Sequence, residues 1–269
     1  MPAAMAACGT APPQPWDLSG LIASETIGGQ VWPYIDTKAD GPALIMLPGS
    51  VGTCEMFFKQ IEALGDRLRI VSVSYPALSE PSHLADGLAG LMDRLGLTSA
   101  SVLGSSFGGY WAQFFALRHP DRLEHLFLGN IFLTPAQLFS NPLFDPAFIA
   151  ATSASDLQTA WRRRVEQAPH SELRNIQLAM LSGRQSAENL KARFAGVAAA
   201  KPCPALPIPH NRISVIDCAD DPIIPPESRQ AVRQHYAGAD LQTLPTGGHY
   251  PHILNPHAYN AVITSRFFN

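Results

Sequence analysis

Short apolar runs rich in β-branched residues alternate with stretches of helical spacing along most of this chain. Val31–Ile35, Ala43–Leu47, Leu68–Ser74, Ala100–Leu103 and Leu123–Leu128 predict strands. Glu55–Leu64, His83–Leu95 and Phe107–Leu117 carry helical patterns. In His83–Leu95, the residues Leu84, Leu88, Leu91 and Leu95 share one face. Strand character returns at Arg212–Ile216 and Leu241–Leu244, with helices at Glu227–His235 and near His257–Phe267. Buried strands alternating with helices imply an α/β fold, a mostly parallel sheet covered on both faces. Such sheets take ligands at the carboxyl ends of their strands.

The pattern breaks between Thr134 and Pro207. Strand signals vanish there, helical stretches such as Leu157–Gln167 and Leu173–Leu181 take over, and Pro202, Pro204, Pro207 and Pro209 close the segment. It is too short for a comfortable core of its own, and the sheet resumes after it. The expected organisation is a core made of residues 1–133 and 208–269, carrying a helical lid over 134–207. Residues 1–18, rich in Ala and Pro, read as a loose leader.

Composition narrows the function classes. With 269 residues, 46% hydrophobic and 15% charged, the chain is a compact globule. A net charge of −3 offers no basic surface for nucleic acid or acidic lipid. The dense basic run Arg162-Arg163-Arg164 reads as a solvated helix face. No apolar run approaches the roughly 20 residues of a membrane span. Cys8, Cys54, Cys203 and Cys218 are scattered, with no metal-ligand spacing, and read as reduced thiols. Ala6-Ala7-Cys8 resembles a lipoprotein cleavage site, but neither a basic nor an apolar signal region precedes it. A soluble, cytoplasmic protein without metal or cofactor is the expectation.

The sharpest chemical feature is Gly104-Ser105-Ser106-Phe107-Gly108, a G-x-S-x-G run between a predicted strand and a predicted helix. A strand that turns abruptly into a helix strains its middle residue, and the flanking glycines avoid clashes. Ser106 then stands exposed above the sheet, and the Phe107 N–H at the helix start can bind an oxyanion. Ser105 is the rival nucleophile, out of register with the glycines.

A serine hydroxyl needs a base. His249 lies in Thr246-Gly247-Gly248-His249-Tyr250-Pro251, directly after the last strand, where two glycines permit a sharp excursion; His252 is second. The imidazole needs an orienting carboxylate. Asp217-Cys218-Ala219-Asp220-Asp221-Pro222 offers three, of which Asp221, ahead of a proline-stiffened loop, is favoured over Asp220 and Asp217. A second oxyanion donor is expected in Pro48-Gly49-Ser50-Val51-Gly52, at the Ser50 N–H. Phe139, Phe144 and Trp161 in the helical segment are candidates to line a substrate pocket, or simply to pack it.

Taken together, Leu47–Ile61, Ser74-Tyr75-Pro76, Gly104–Gln113 and Thr246–Pro251 resemble the α/β-hydrolase superfamily, and among its members the maspardin-like proteins. The resemblance covers about residues 30–133 and 211 to the end. It implies the α/β-hydrolase fold, with Ser106, Asp221 and His249 in the superfamily's chain order. Most members carry His-Gly at the oxyanion loop, whereas here Pro48 precedes Gly49, as in maspardin. Maspardin-type proteins can lack parts of the triad and act as binding proteins; this chain keeps all three residues. The expected activity is a serine esterase acting on a small-molecule acyl substrate. The alternatives are a non-catalytic adaptor with a protein partner, or a carbon–carbon hydrolase, lyase or perhydrolase using the same residues.

Overall fold

The computed structural model describes residues 14–138 and 141–268. Its framework is one eight-stranded sheet made of β1 (Ala23–Ile27), β2 (Gln30–Asp36), β3 (Ala43–Leu47), β4 (Arg69–Val73), β5 (Ala100–Ser105), β6 (Leu123–Gly129), β7 (Ile213–Cys218) and β8 (Asp240–Leu244). The order across the sheet is β1-β2-β4-β3-β5-β6-β7-β8. From β4 to β8 every pairing is parallel; β1 and β2 are the antiparallel edge. This is the expected α/β-hydrolase fold.

Side-chain alternation sorts the strands onto two cores. Ile45, Leu47, Val71, Val73, Val102, Leu126, Leu128 and Val215 face a large cluster built with Phe58 of α1 (Phe58–Leu64), α2 (Pro81–Arg94) and α3 (Phe107–Arg118). Their neighbours Leu44, Met46, Ile70, Leu103, Phe127 and Ile216 face a smaller one, closed by Tyr259 and Ile263 of the C-terminal helix Pro256–Thr264. With both faces covered, the central strands read as continuous apolar runs, which is why the sequence predicts them.

β1 departs from that expectation. Its residues are exposed or half-buried, and the polar sequence ASETI carries no apolar alternation. What defines it is the two-residue turn Gly28-Gly29, both at positive φ (56° and 78°), which returns the chain into β2 with Ile27 opposite Gln30.

Between β6 and β7 come four α-helices, several shorter helical turns and no strand among the described residues. The α-helices are α4 (Pro146–Ala151), α5 (Ala154–Glu166), α6 (Glu172–Ala179) and α7 (Ala187–Ala198). Serines 153, 171 and 186 cap α5, α6 and α7 by accepting from the N–H three residues on. The expected loose leader needs correction from residue 14 onward. Trp16 is buried, with the Arg184 guanidinium 5.2 Å over its ring; Asp17 pairs with Arg184 at 2.8 Å, and the Leu18 N–H donates to Glu55 at 3.1 Å. An aromatic anchor and an ion pair override the local Ala/Pro composition.

Candidate active site

The turn from β5 into α3 places Ser106 at φ 53°, ψ −122°, a strained conformation for a residue with a side chain. The strain is held by the surroundings. The Ser106 N–H donates to Gly129 O at 2.7 Å across to β6. A Cβ at Gly104 would lie 2.4 Å from Gly109 N, and one at Gly108 would lie 2.3 Å from Leu47 O and 2.5 Å from Pro48 O. The glycines of the motif are therefore contact surfaces, letting strand, helix and the loop after β3 pack backbone to backbone.

His249 sits in the loop after β8. Gly247 (φ 138°) and Gly248 (φ 55°) give that loop its shape, and Asp220 holds it by accepting from both glycine N–H groups at 3.3 and 2.8 Å. The ring spans two partners: Nε2 is 3.0 Å from Ser106 Oγ, and Nδ1 is 2.9 Å from Asp221 Oδ2. Asp221, in the loop after β7, also accepts from the N–H groups of Ile223 (2.7 Å) and Ile224 (3.0 Å) and from Asn130 Nδ2 (2.6 Å). Burial alone would raise its pKa, but the facing His249 imidazole and the donors from His249, Asn130 and Ile224 outweigh it, holding the carboxyl at about 2.

Asn130 is the member of this cluster that sequence reasoning missed. It follows β6 directly, takes the left-handed conformation at φ 47°, and its Nδ2 also donates to Gly248 O at 3.1 Å. It thus ties the carboxylate loop to the histidine loop. Its signal was positional, an Asn at the carboxyl end of a central parallel strand.

The rival residues have other occupations. Asp217 pairs with Arg233 at 2.6 Å. His252 is buried against the rings of Phe57 and Tyr259, and burial, with His249 nearby, pushes its pKa down to about 3. Ser105 completes β5, opposite Gly129.

The loop after β3 lies against Ser106. A Cβ at Gly49 would be 3.2 Å from Ser106 Cβ and 3.7 Å from its Oγ. Neither the Ser50 N–H nor the Phe107 N–H, the two expected oxyanion donors, has an acceptor among the described residues.

A cavity of about 300 Å³ opens at Ser106 and His249. Phe144 and Trp161 line it and also pack on Phe194, at centroid distances of 5.5 and 4.6 Å. Phe139 lies outside the described residues. Arg164 lines the cavity, and Arg162, Arg163 and Arg164 are all exposed, as expected of a solvated helix face. Among the described residues no cluster of three His, Cys, Asp or Glu is arranged to hold a metal ion, and no helix is long and apolar enough to cross a membrane. Cys54, Cys203 and Cys218 are free and buried; Cys8 lies outside the described residues.

Comparison with known proteins agrees with the fold. The chain is 25% identical over 257 residues to a putative carbamate hydrolase, RutD, of Caulobacter sp. (strain K31), covering 84% of this chain and 90% of that one. It is 27% identical over 247 residues to human maspardin, covering 82% and 73%. A hydrolase from Pseudomonas aeruginosa PA01 superposes with a TM-score of 0.76 at 22% identity, over 93% of this chain and 100% of that one. Residues 44–262 match the alpha/beta hydrolase family, and with most of its length inside that match, this chain belongs to the α/β hydrolase family.

Proposed function

We propose that this chain is a serine hydrolase that cleaves a small carboxylic ester or a related acyl compound through an acyl-enzyme on Ser106. The observation that carries the reading is the continuous hydrogen-bond line from Ser106 Oγ through both ring nitrogens of His249 to Asp221, at 3.0 and 2.9 Å. His249 removes the hydroxyl proton as Oγ attacks the substrate carbonyl, then returns that proton to the leaving group. Asp221 keeps Nδ1 protonated and stabilises the imidazolium. The Ser50 and Phe107 N–H groups receive the oxyanion, each such donor being worth about 3 kcal/mol in the transition state. Water, activated by the same imidazole, releases the acyl group and restores Ser106.

The cavity supports a compact, mostly apolar acyl group. Its volume of about 300 Å³ is at the small end of ligand pockets, and Phe132, Leu138, Phe144, Trp161, Phe194 and Val197 are among its walls. Because four of those six residues sit on α5, α7 and the short turn before α4, residues 134–207 act as the cap that shapes substrate choice. Carbamates, the substrates named for the RutD relatives, present the same acyl carbonyl and belong in the substrate survey.

A fluorophosphonate probe tests the reading directly. The purified protein is expected to label, Ser106→Ala to lose labelling, and Ser105→Ala to keep it. A folded wild type that neither labels nor hydrolyses p-nitrophenyl esters or carbamates would reject catalysis in favour of a binding protein on the same scaffold.

A further inference from the structure

Arg193 of α7 is a buried cation without a carboxylate. It is 1% exposed, and its ion-pair partners are absent among the described residues. Its Nη1 donates to Gly49 O at 2.8 Å and to Gly52 O at 2.7 Å, its Nη2 reaches Tyr75 O at 3.4 Å, and its plane lies 3.7 Å over the Tyr75 ring. A guanidinium keeps its charge in such a place, and burying it with neutral partners alone is costly. The cost is concentrated on one target, the loop from Pro48 to Gly52.

Other side chains converge on the same loop. Gln185, just before α7, donates from Nε2 to Ser50 O at 2.8 Å and accepts from the Gly52 N–H at 3.0 Å. The Tyr75 hydroxyl donates to Pro48 O at 2.7 Å. Asn189 of α7 holds Tyr75 in turn, donating to its carbonyl at 2.8 Å. The carbonyls of residues 48, 49, 50 and 52 are thus all taken by side-chain donors.

The consequence follows from the planarity of the peptide group. No cis peptide occurs among the described residues, so the Gly49 carbonyl and the Ser50 N–H point in opposite directions. Fixing Gly49 O on Arg193 turns the Ser50 N–H the other way, while the Gly49 Cα lies against Ser106. A cation on the carbonyl also polarises the same peptide and strengthens its N–H as a donor.

We propose that Arg193, assisted by Gln185, is the positioning residue of the oxyanion site, holding and polarising the Gly49–Ser50 peptide from the helical segment. This rests on the serine-hydrolase reading above. It also gives a role to the departure at Pro48, because the support that a side chain at that position could supply comes here from α7. Cap and oxyanion loop are then one unit, and displacing α7 disarms one of the two donors.

The test compares wild type with Arg193→Met, Arg193→Lys and Gln185→Ala, each checked for folding by circular dichroism and Tm. With p-nitrophenyl butyrate, Arg193→Met is expected to lose roughly 10²-fold in kcat, the scale of one oxyanion donor, with KM changed less than about threefold. Arg193→Lys should recover part of the loss, and Gln185→Ala should lose on the order of tenfold. A boronic-acid analogue of the tetrahedral state should weaken in parallel with kcat. Hydrogen exchange supplies an arm independent of turnover: amides of residues 49–53 should exchange faster in Arg193→Met and Gln185→Ala whether or not the protein is an esterase. Unchanged exchange there, or folded variants with full kcat, would overturn the proposal. Inactivity of the wild type with accelerated exchange in the variants would instead overturn only the hydrolase reading.

Discussion

Two segments flank the proposed nucleophile, and they are secured in different ways. The turn Gly104–Gly108 is held by backbone: Ser106 N–H on Gly129 O, and glycine Cα atoms pressed on neighbouring peptides. Its proposed donor, the Phe107 N–H, lies at a helix terminus and comes with the turn. The loop Pro48–Gly52 is held by side chains that lie 26 to 144 residues away in sequence, on α7, before α7 and after β4. The first segment is self-contained, while the second depends on the helical segment being in place. In the proposed mechanism, one oxyanion donor is therefore a property of the core, and the other is lent by the helical segment.

The largest expected effect tests the self-contained half. Ser106→Ala should reduce ester hydrolysis about 10⁶-fold without loss of fold; a residual rate within tenfold of wild type would mean another group attacks. Asp221→Asn should cost about 10⁴-fold in kcat, because an amide facing Nδ1 no longer favours the required tautomer. Retained activity in that variant, measured on the same ester, would remove Asp221 from the reading.

Gly108→Ala strikes where the two segments touch. The added methyl would meet Leu47 O and Pro48 O at 2.3 and 2.5 Å. We expect Tm to fall on the order of 5 °C and activity to drop along with it, while a Tm equal to wild type would show that the contact is loose. Trp161→Ala acts only on the cap's side. It should raise KM about tenfold for butyryl esters, the value of burying one or two methylenes, and leave kcat within about threefold. A kcat loss equal to that of Arg193→Met would mean that the wall, rather than the clamp, aligns the oxyanion loop.

Acid sensitivity gives the smallest and most graded effect. Burial pushes His125 down to about 4 and His252 to about 3 from the ordinary 6.5. The unfolded chain therefore takes up protons near pH 6.5 while the fold does not, and stability falls as pH drops from about 7 toward 4, by at most about 1.4 kcal/mol per pH unit for each histidine. Asp221 contributes nothing to that window. With its carboxyl held at about 2, below the ordinary 3.8, its stabilising share is present above the ordinary value and is lost progressively as pH falls from there through 2. Replacing His252 by Phe, among the rings of Phe57 and Tyr259, should flatten the decline in Tm between pH 7 and 5. An unaltered slope would contradict a neutral, buried His252.

Legibility in the sequence followed the same division. The central strands and the helices α2 and α3 showed their periodicity because each buries a whole face. Ser106, His249 and Asp221 could be proposed because each follows directly on a predicted strand, where the loops of a parallel sheet gather. β1 escaped because its residues bury little, and only Gly28-Gly29 marked its turn. Trp16 was hidden by its Ala- and Pro-rich surroundings. Asn130 looked like an ordinary loop residue, since holding one loop onto another leaves no periodic trace.

Arg193 marks the boundary between the two kinds of information. Local pattern, with its periods of 2 and 3.6 and its glycine spacing, determined by itself that this chain builds a parallel sheet, turns sharply at Ser106 and brings up a histidine and a carboxylate on strand-end loops. That one arginine inside an apolar helix face would reach Gly49 and Gly52, 144 and 141 residues away, was decided only by the packing of α7 on the core. The reason is physical: secondary structure is specified by neighbours a few positions apart, whereas the alignment of a single peptide plane depends on donors that folding alone brings within hydrogen-bond reach.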